Sequence, residues 1–311
     1  MNSRDLVDPE LLPMLDMWPT MTLSAELLPL ARGREIARPP VPPTDVALER
    51  VTVPGRDGAP DIGMDVYRPG DASAPVGCIY HVHGGGYVMG AASEMEFFLR
   101  PMAQELGCAI VSVDYRLAPE TAHPGPVEDC YAGLAWTFAN AAALDIDPAR
   151  IGVLGQSAGG GLAAALALLA RDRGEYGLAF QHLVYPMLDD RTCTAPAHPV
   201  AGTFVWNGGS NRFGWSALLG QAPGGADVSP YAAAARATDL SGLPPTYIMT
   251  GALDLFVDED IAFAQRLIAA GVPTELQVYP GAFHAFDAFP DAAVSRRARA
   301  DRNAALARAL G

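Results

Sequence analysis

No stretch of this 311-residue chain is both long and apolar enough to span a membrane: none reaches the roughly 18 to 20 uninterrupted apolar residues that a bilayer requires. Cysteine is scarce too. The four thiols, Cys78, Cys108, Cys130 and Cys193, form no C-x-x-C pair and are too few for a disulfide scaffold, so reduced and mostly buried cysteines are expected. Positive charge is in deficit, with 21 Lys plus Arg against 35 Asp plus Glu and a formal net charge of −14. That balance repels phosphate backbones and anionic membranes, so neither is expected as a partner, and the acidity serves solubility. The opening residues, "MNSRDLVDPELLPMLDMWPT", carry acids and prolines where a secretory signal would place a basic segment and then an unbroken apolar one. A cytoplasmic location is therefore expected.

What is present is a globular pattern, with half of the residues hydrophobic and 18% charged. The length suits one α/β domain carrying insertions. In the first 36 residues, apolar positions (Leu11, Leu12, Leu15, Trp18, Met21, Leu27, Leu28) are broken by Pro13, Pro19 and Pro29, which predicts short helices packed on something else. "ARPPVPPTD" at 37 to 45 reads as a stiff extended connector. From about residue 48, strand-like runs begin to alternate with helical ones. Helices are expected over about 92 to 106, 126 to 143, 158 onward, 256 to 270 and 291 to 310. Strands are expected at "ERVTVPG", "IGMDVYRP", "VGCIYHV", "CAIVSVDY", 151 to 154, "AFQHLVYP", "PTYIMTG" and "TELQVYP". Such alternation implies crossovers and a mostly parallel sheet covered on both faces, an α/β fold. Between residues 188 and 231 the alternation fails, and a segment rich in Gly, Pro and aromatics reads as a lid or binding element.

Gly155-Gln156-Ser157-Ala158-Gly159 fits G-x-S-x-G, and it lies where an apolar strand gives way to a helix, the context in which that motif presents a nucleophile. A serine hydroxyl is a weak nucleophile and needs a histidine base oriented by an acid. Of six histidines, His284 in "YPGAFHAFDAF" falls in a loop directly after the last strand, whereas His182 lies inside a strand and His123 and His198 stand beside prolines. Asp254 in "IMTGALDLFVDED" follows a strand and lies between serine and histidine, the order this triad takes. Asp258, Glu259 and Asp260 compete, but as first-turn acids they suit a helix dipole, so Asp254 is preferred. "YHVHGGGYVMG" supplies backbone N–H groups for an oxyanion at Gly84, Gly85 and Gly86, with Ala158 at a helix start as a further donor. Neither a Walker lysine nor G-x-G-x-x-G accompanies that loop, which argues against a phosphate cradle. His81-x-His83 lacks a third ligand nearby, so strand-end packing is preferred to a metal, and no cofactor is expected.

HGGG, "DYRLAPE", "GPVEDCYAGLAW", GQSAGG, "LSGLPPTYIMTGALD" and "GAFHAF", in that order, resemble the bacterial hormone-sensitive-lipase-like (family IV) esterases of the α/β-hydrolase superfamily. The resemblance covers nearly all of the chain from residue 48. It implies nucleophile Ser157, acid Asp254, base His284 and an oxyanion hole from the glycine loop and Ala158. It further implies a cap built from residues 1 to 45 and 188 to 231 over a catalytic domain at 46 to 187 and 232 to 311. Trp18, Met21, Tyr87, Phe204 and Trp206 are then candidates to line the acyl or alcohol pocket. Two departures from the family pattern stand out: Gln156 where an acid is common before the serine, and Leu255-Phe256 where Pro-Leu is usual after the acid. The activity implied is hydrolysis of short-acyl esters, and the last sheet strand, "TELQVYP", is expected to pair with its copy across a homodimer axis, as related enzymes often do. The rivals are an amidase or peptidase on this fold and a small-molecule receptor, since plant gibberellin receptors resemble the family without its histidine.

Overall fold

The computed structural model describes residues 2–18, 20–33, 40–70 and 75–311. Pro19 and the first three residues of the expected connector, 37 to 39, lie outside them. Among the described residues eight strands form one sheet: β1 (Ala47–Val53), β2 (Ile62–Arg68), β3 (Val76–Val82), β4 (Ala109–Asp114), β5 (Ile146–Gln156), β6 (Gln181–Val184), β7 (Thr246–Gly251) and β8 (Thr274–Tyr279). Their order is β1-β2-β4-β3-β5-β6-β7-β8. β2 runs antiparallel to both β1 and β4, and every later pairing is parallel. The mostly parallel sheet expected from the alternation is thus the one observed.

Parallel strands covered by helices are buried on both faces: β6 and β7 are buried at every position and β3 at every position after Val76, with Gln181, His182 and His81 among the buried side chains. Alternation along β3 sorts its side chains between two cores: Cys78, Tyr80 and Val82 on one face, Ile79 on the other. The first core receives α4 (Gly125–Ala139), α5 (Ala158–Arg173) and α7 (Val257–Ala269); the second receives α3 (Glu96–Leu106) and α8 (Ala293–Leu310). α4 stops earlier than expected, because the Asn140 side chain donates to Trp136 O at 2.8 Å and the chain turns. All four cysteines are free and buried.

The proline-broken N-terminus forms α1 (Leu12–Met17) and α2 (Leu28–Gly33), and the stretch from 188 to 231 contains α6 (Gly208–Leu219). These two regions touch: Leu23 N–H donates to Ser210 Oγ at 2.9 Å and Asn207 Nδ2 to Thr22 Oγ1 at 3.0 Å. Arg32 on α2 reaches the body, where its guanidinium grips both Glu120 oxygens at 2.7 and 2.8 Å and donates to Val88 O and Ala118 O. β3 and β5 are neighbours whose chains continue to opposite sides of the sheet, β3 toward β4 and β5 toward β6. That reversal leaves a crevice at the strands' carboxyl ends, the place where open α/β sheets bind ligands.

The acids opening α7 stand in its first turn as expected, but they differ in burial. Asp258 is exposed, but Glu259 and Asp260 are buried. Glu259 accepts from Leu188 N at 2.6 Å, from Asp189 N at 3.2 Å and from the Thr192 hydroxyl, so it anchors the 188–231 segment where it leaves the sheet. Neither carboxylate oxygen of Asp260 has a hydrogen-bond partner among the described residues. Burial pushes both carboxyls well above the usual range, and repulsion from Glu259 adds to the effect on Asp260. The folded state therefore holds protons that the unfolded chain releases above the ordinary carboxylate range, so stability falls as pH rises toward the elevated values. Each such proton weakens folding by about 1.4 kcal/mol per pH unit over that window. Asp260→Asn should then lose less stability than wild type between about pH 5 and about pH 8, measured by urea unfolding; equal losses would contradict a protonated Asp260.

Candidate active site

Ser157 sits between the last residue of β5 and the first of α5 with φ 57° and ψ −123°. A non-glycine residue rarely holds such a backbone unless its surroundings over-determine it. Here they do. Its N–H donates to Val184 O at 2.9 Å, while its carbonyl accepts from Met187 N at 2.9 Å and Gly161 N at 3.0 Å. The turn also brings α5 against β3 so closely that a Cβ at Gly159 would stand 2.1 Å from Val82 O. The final glycine of the motif is thus a packing requirement.

The loops after β7 and β8 deliver the other two groups. His284 Nε2 lies 2.9 Å from Ser157 Oγ, and its Nδ1 lies 2.8 Å from Asp254 Oδ2. An ionised carboxylate only accepts, so Nδ1 carries the proton and Nε2 is left to accept from the serine hydroxyl. Asp254 is fully buried, and its other oxygen accepts the Phe256 N–H at 3.0 Å. Phe256 and Tyr185 meet the imidazole edge-on at 5.3 and 4.8 Å between centroids. Asp258, the rival acid, points elsewhere, 4.0 Å from His198 Nε2.

Gly84, Gly85 and Gly86 line the same cavity as Ser157. Neither Gly85 nor Gly86 donates its N–H to another group among the described residues, and Ala158 stands at the first position of α5, where helical N–H groups have no intrahelical partner. The loop is braced from behind: His83 Nδ1 lies 2.8 Å from Gly84 O, Tyr115 OH donates to His83 O at 2.9 Å, and the two rings stack at 4.3 Å. His81 is buried in the strand with both ring nitrogens paired, Nδ1 to Ser112 Oγ and Nε2 to Gln156 Oε1, each at 2.8 Å. Burial lowers its pKa to about 3, so the ring is neutral. Gln156 thereby meets a neutral imidazole without adding charge beside the serine, a physical account of the first departure.

The cavity has a volume of about 370 Å³. Of the five pocket residues expected from the sequence, Trp206 lines it and the other four do not. Trp18 packs edge-on against Phe289 at 5.8 Å, and Met21 lies 39% exposed. Tyr87 is buried with its hydroxyl on Met187 O at 2.8 Å, and Phe204 packs on Phe283 at 5.8 Å. The lining comes instead from Met89, Met95, Phe97, Phe98, Tyr185 and Val205. Aromatic content placed these regions near the site, but not which face each ring takes. Sequence reading also missed what stands behind the histidine: Tyr185 OH donates to Asp287 Oδ1 at 2.7 Å, and Asp287 Oδ2 lies 3.4 Å from the buried Arg302. Asp287, three residues after His284, was a signal available in the sequence; Arg302, inside the last helix, had none.

Residues 79–288 match a family described as the alpha/beta hydrolase fold. Carboxylesterase NlhH of Mycobacterium tuberculosis is 36% identical over 294 residues, covering 91% of this chain and 90% of its own, and esterase LipI of the same organism is 33% identical, covering 88% and 86%. Among solved structures, bacterial heroin esterase superposes with a TM-score of 0.91 at 41% identity and full coverage of both chains. An esterase from the archaeon Pyrobaculum calidifontis does so at 0.81 with 30% identity, covering 97% and 98%. A chain with this sheet, this serine turn and these relatives belongs to the α/β-hydrolase fold family, in its hormone-sensitive-lipase-like (family IV) branch, and is a carboxylic ester hydrolase.

Proposed function

We propose that the protein is a serine carboxylesterase that cleaves short-acyl esters through an acyl-enzyme, and the observation that carries this reading is the continuous relay Ser157 Oγ, His284, Asp254 at 2.9 and 2.8 Å. Ser157 attacks the ester carbonyl as His284 Nε2 takes its proton; Asp254 holds the imidazole and stabilises its charged form. The N–H groups of Gly85, Gly86 and Ala158, with Gly84 shaping the loop, receive the oxyanion, and loss of one such donor costs about 2.7 to 4 kcal/mol of transition-state stabilisation. The proton then passes to the departing alcohol, and water releases the acid by the reverse route. No lysine occurs anywhere in the chain, so a serine–lysine alternative is excluded. His284 in place beside the serine favours turnover over a receptor role.

Two attributes of the setting belong to the same proposal. Four free, buried thiols suit a reducing compartment such as the cytoplasm. Among the described residues β8 pairs only with β7, at the sheet edge, with Val278 39% exposed, which supports strand pairing between two copies. Light scattering should find a dimer that Val278→Lys dissociates, and a wild-type monomer would refute the pairing.

Initial rates on p-nitrophenyl esters from acetate to palmitate should peak at the shortest chains and vanish in Ser157→Ala; a variant keeping a tenth of the wild-type rate would disprove the nucleophile. Asp254→Asn should lower kcat by about 10⁴, as loss of the acid does in serine proteases. Asp258→Asn should stay near wild type, and the opposite ranking would exchange the two roles.

A further inference from the structure

The N–H of Trp206 donates to Phe204 O at 2.7 Å, closing a three-residue turn around Val205, whose φ is 60°. A turn of this kind with a positive central φ is rare and strained, and a β-branched side chain makes it costlier. Strain of that sort persists where the surroundings hold it, and it concentrates at functional sites.

What the turn achieves is the placement of one ring. The Trp206 indole lies on the oxyanion loop, so close that a Cβ at Gly86 would stand 2.2 Å from Cη2. Gly86 has φ 62°, and its lack of a side chain makes the contact possible. Gly214 on α6 backs the same ring, its notional Cβ 3.5 Å from Cζ2, and Nε1–H donates to Asn211 Oδ1 at 3.4 Å. The indole is thus clamped between α6 and the loop, 7% exposed, with its centroid 6.4 Å from that of His284.

We propose that the strained turn at Phe204–Trp206 sets acyl length, with the Trp206 indole as the end wall of the acyl side. This deepens the short-acyl esterase reading and rests on it. The ester carbonyl oxygen must point at the Gly85 and Gly86 N–H groups and the leaving oxygen must face His284 Nε2, which protonates it, so the acyl substituent takes the remaining direction at that carbon, which we assign to the side of the loop the indole covers. The leaving alcohol is then directed away from that wall, and the cavity lining beyond the glycine loop includes Met95, Phe97 and Phe98. A wall against Gly86 therefore limits the acyl group, and the alcohol remains free to vary.

The test is kcat/KM on p-nitrophenyl acetate, butyrate, hexanoate and octanoate, beside acetate esters of phenols of increasing size, for wild type, Trp206→Ala, Trp206→Phe and Val205→Gly. One methylene in an apolar pocket changes kcat/KM by roughly 10 to 200-fold, so Trp206→Ala should raise the octanoate-to-acetate ratio by at least about tenfold, with Trp206→Phe between it and wild type. Val205→Gly keeps the indole but frees the turn, so it should raise the ratio by less while not lowering the urea midpoint. If Trp206→Ala fails to fold, the other two variants read the same ratio. An active wild type whose acyl ratio stays constant across the variants would overturn the inference alone, as would a shift confined to the phenol series. A wild type inert on every ester would overturn the esterase proposal and this inference with it.

Discussion

The arrangement depends on one close approach: α5 presses its first turn against β3 and the glycine loop, with no room for a Cβ at Gly159. That contact fixes the backbone at Ser157 in a conformation the residue would not adopt alone. Three hydrogen bonds, to Val184, Met187 and Gly161, keep it there. Because β3 ends in the glycine loop and β5 in the serine, the same packing that holds the helix also sets the distance between hydroxyl and oxyanion donors. Strain at the nucleophile is thus sustained by core packing, and the N-terminal alanines and leucines of α5, buried through Ala170, supply it.

A second constraint is electrostatic. Asp254 is fully buried, and a buried carboxylate is tolerated only when it is hydrogen-bonded or paired. His284 and the Phe256 N–H satisfy it, and the aromatic edges of Phe256 and Tyr185 keep the imidazole from swinging away. The next layer repeats the logic, with Tyr185, Asp287 and Arg302 forming a buried chain whose partners satisfy one another. Close to the serine the charge is instead removed: His81 is neutral by burial and meets an amide. Polar groups near Ser157 therefore orient one another without competing for its proton.

The cavity takes its shape from elements distant in sequence. The oxyanion loop follows β3, Trp206 arrives from the segment between β6 and β7, and Met95 and Phe98 come from the start of α3 and the turn before it. Arg32 ties α2 to the backbone just beyond the glycine loop, so the N-terminal helices bear on the same rim.

Much of the fold and of the candidate triad was legible because it rests on local patterns. Apolar runs of strand length alternating with amphipathic stretches specify a parallel sheet, and G-x-S-x-G, HGGG and a histidine after the last strand declare themselves through backbone geometry that few residues permit. Positions determined by packing across the sheet were not legible. Tyr87 and Phe204 read as pocket residues and turned inward, while Glu259 and Asp260 read as first-turn helix acids, with nothing local to say that both are buried. An aromatic or a carboxylate looks the same in sequence whichever way it faces. The sequence by itself determined which groups carry chemistry and in what order they follow the strands. Only the tertiary structure decided that Asp254 rather than Asp258 faces His284, that Trp206 rather than Trp18 meets the oxyanion loop, and that Gln156 answers His81, because each of those contacts joins strands and loops whose separation is set by the sheet.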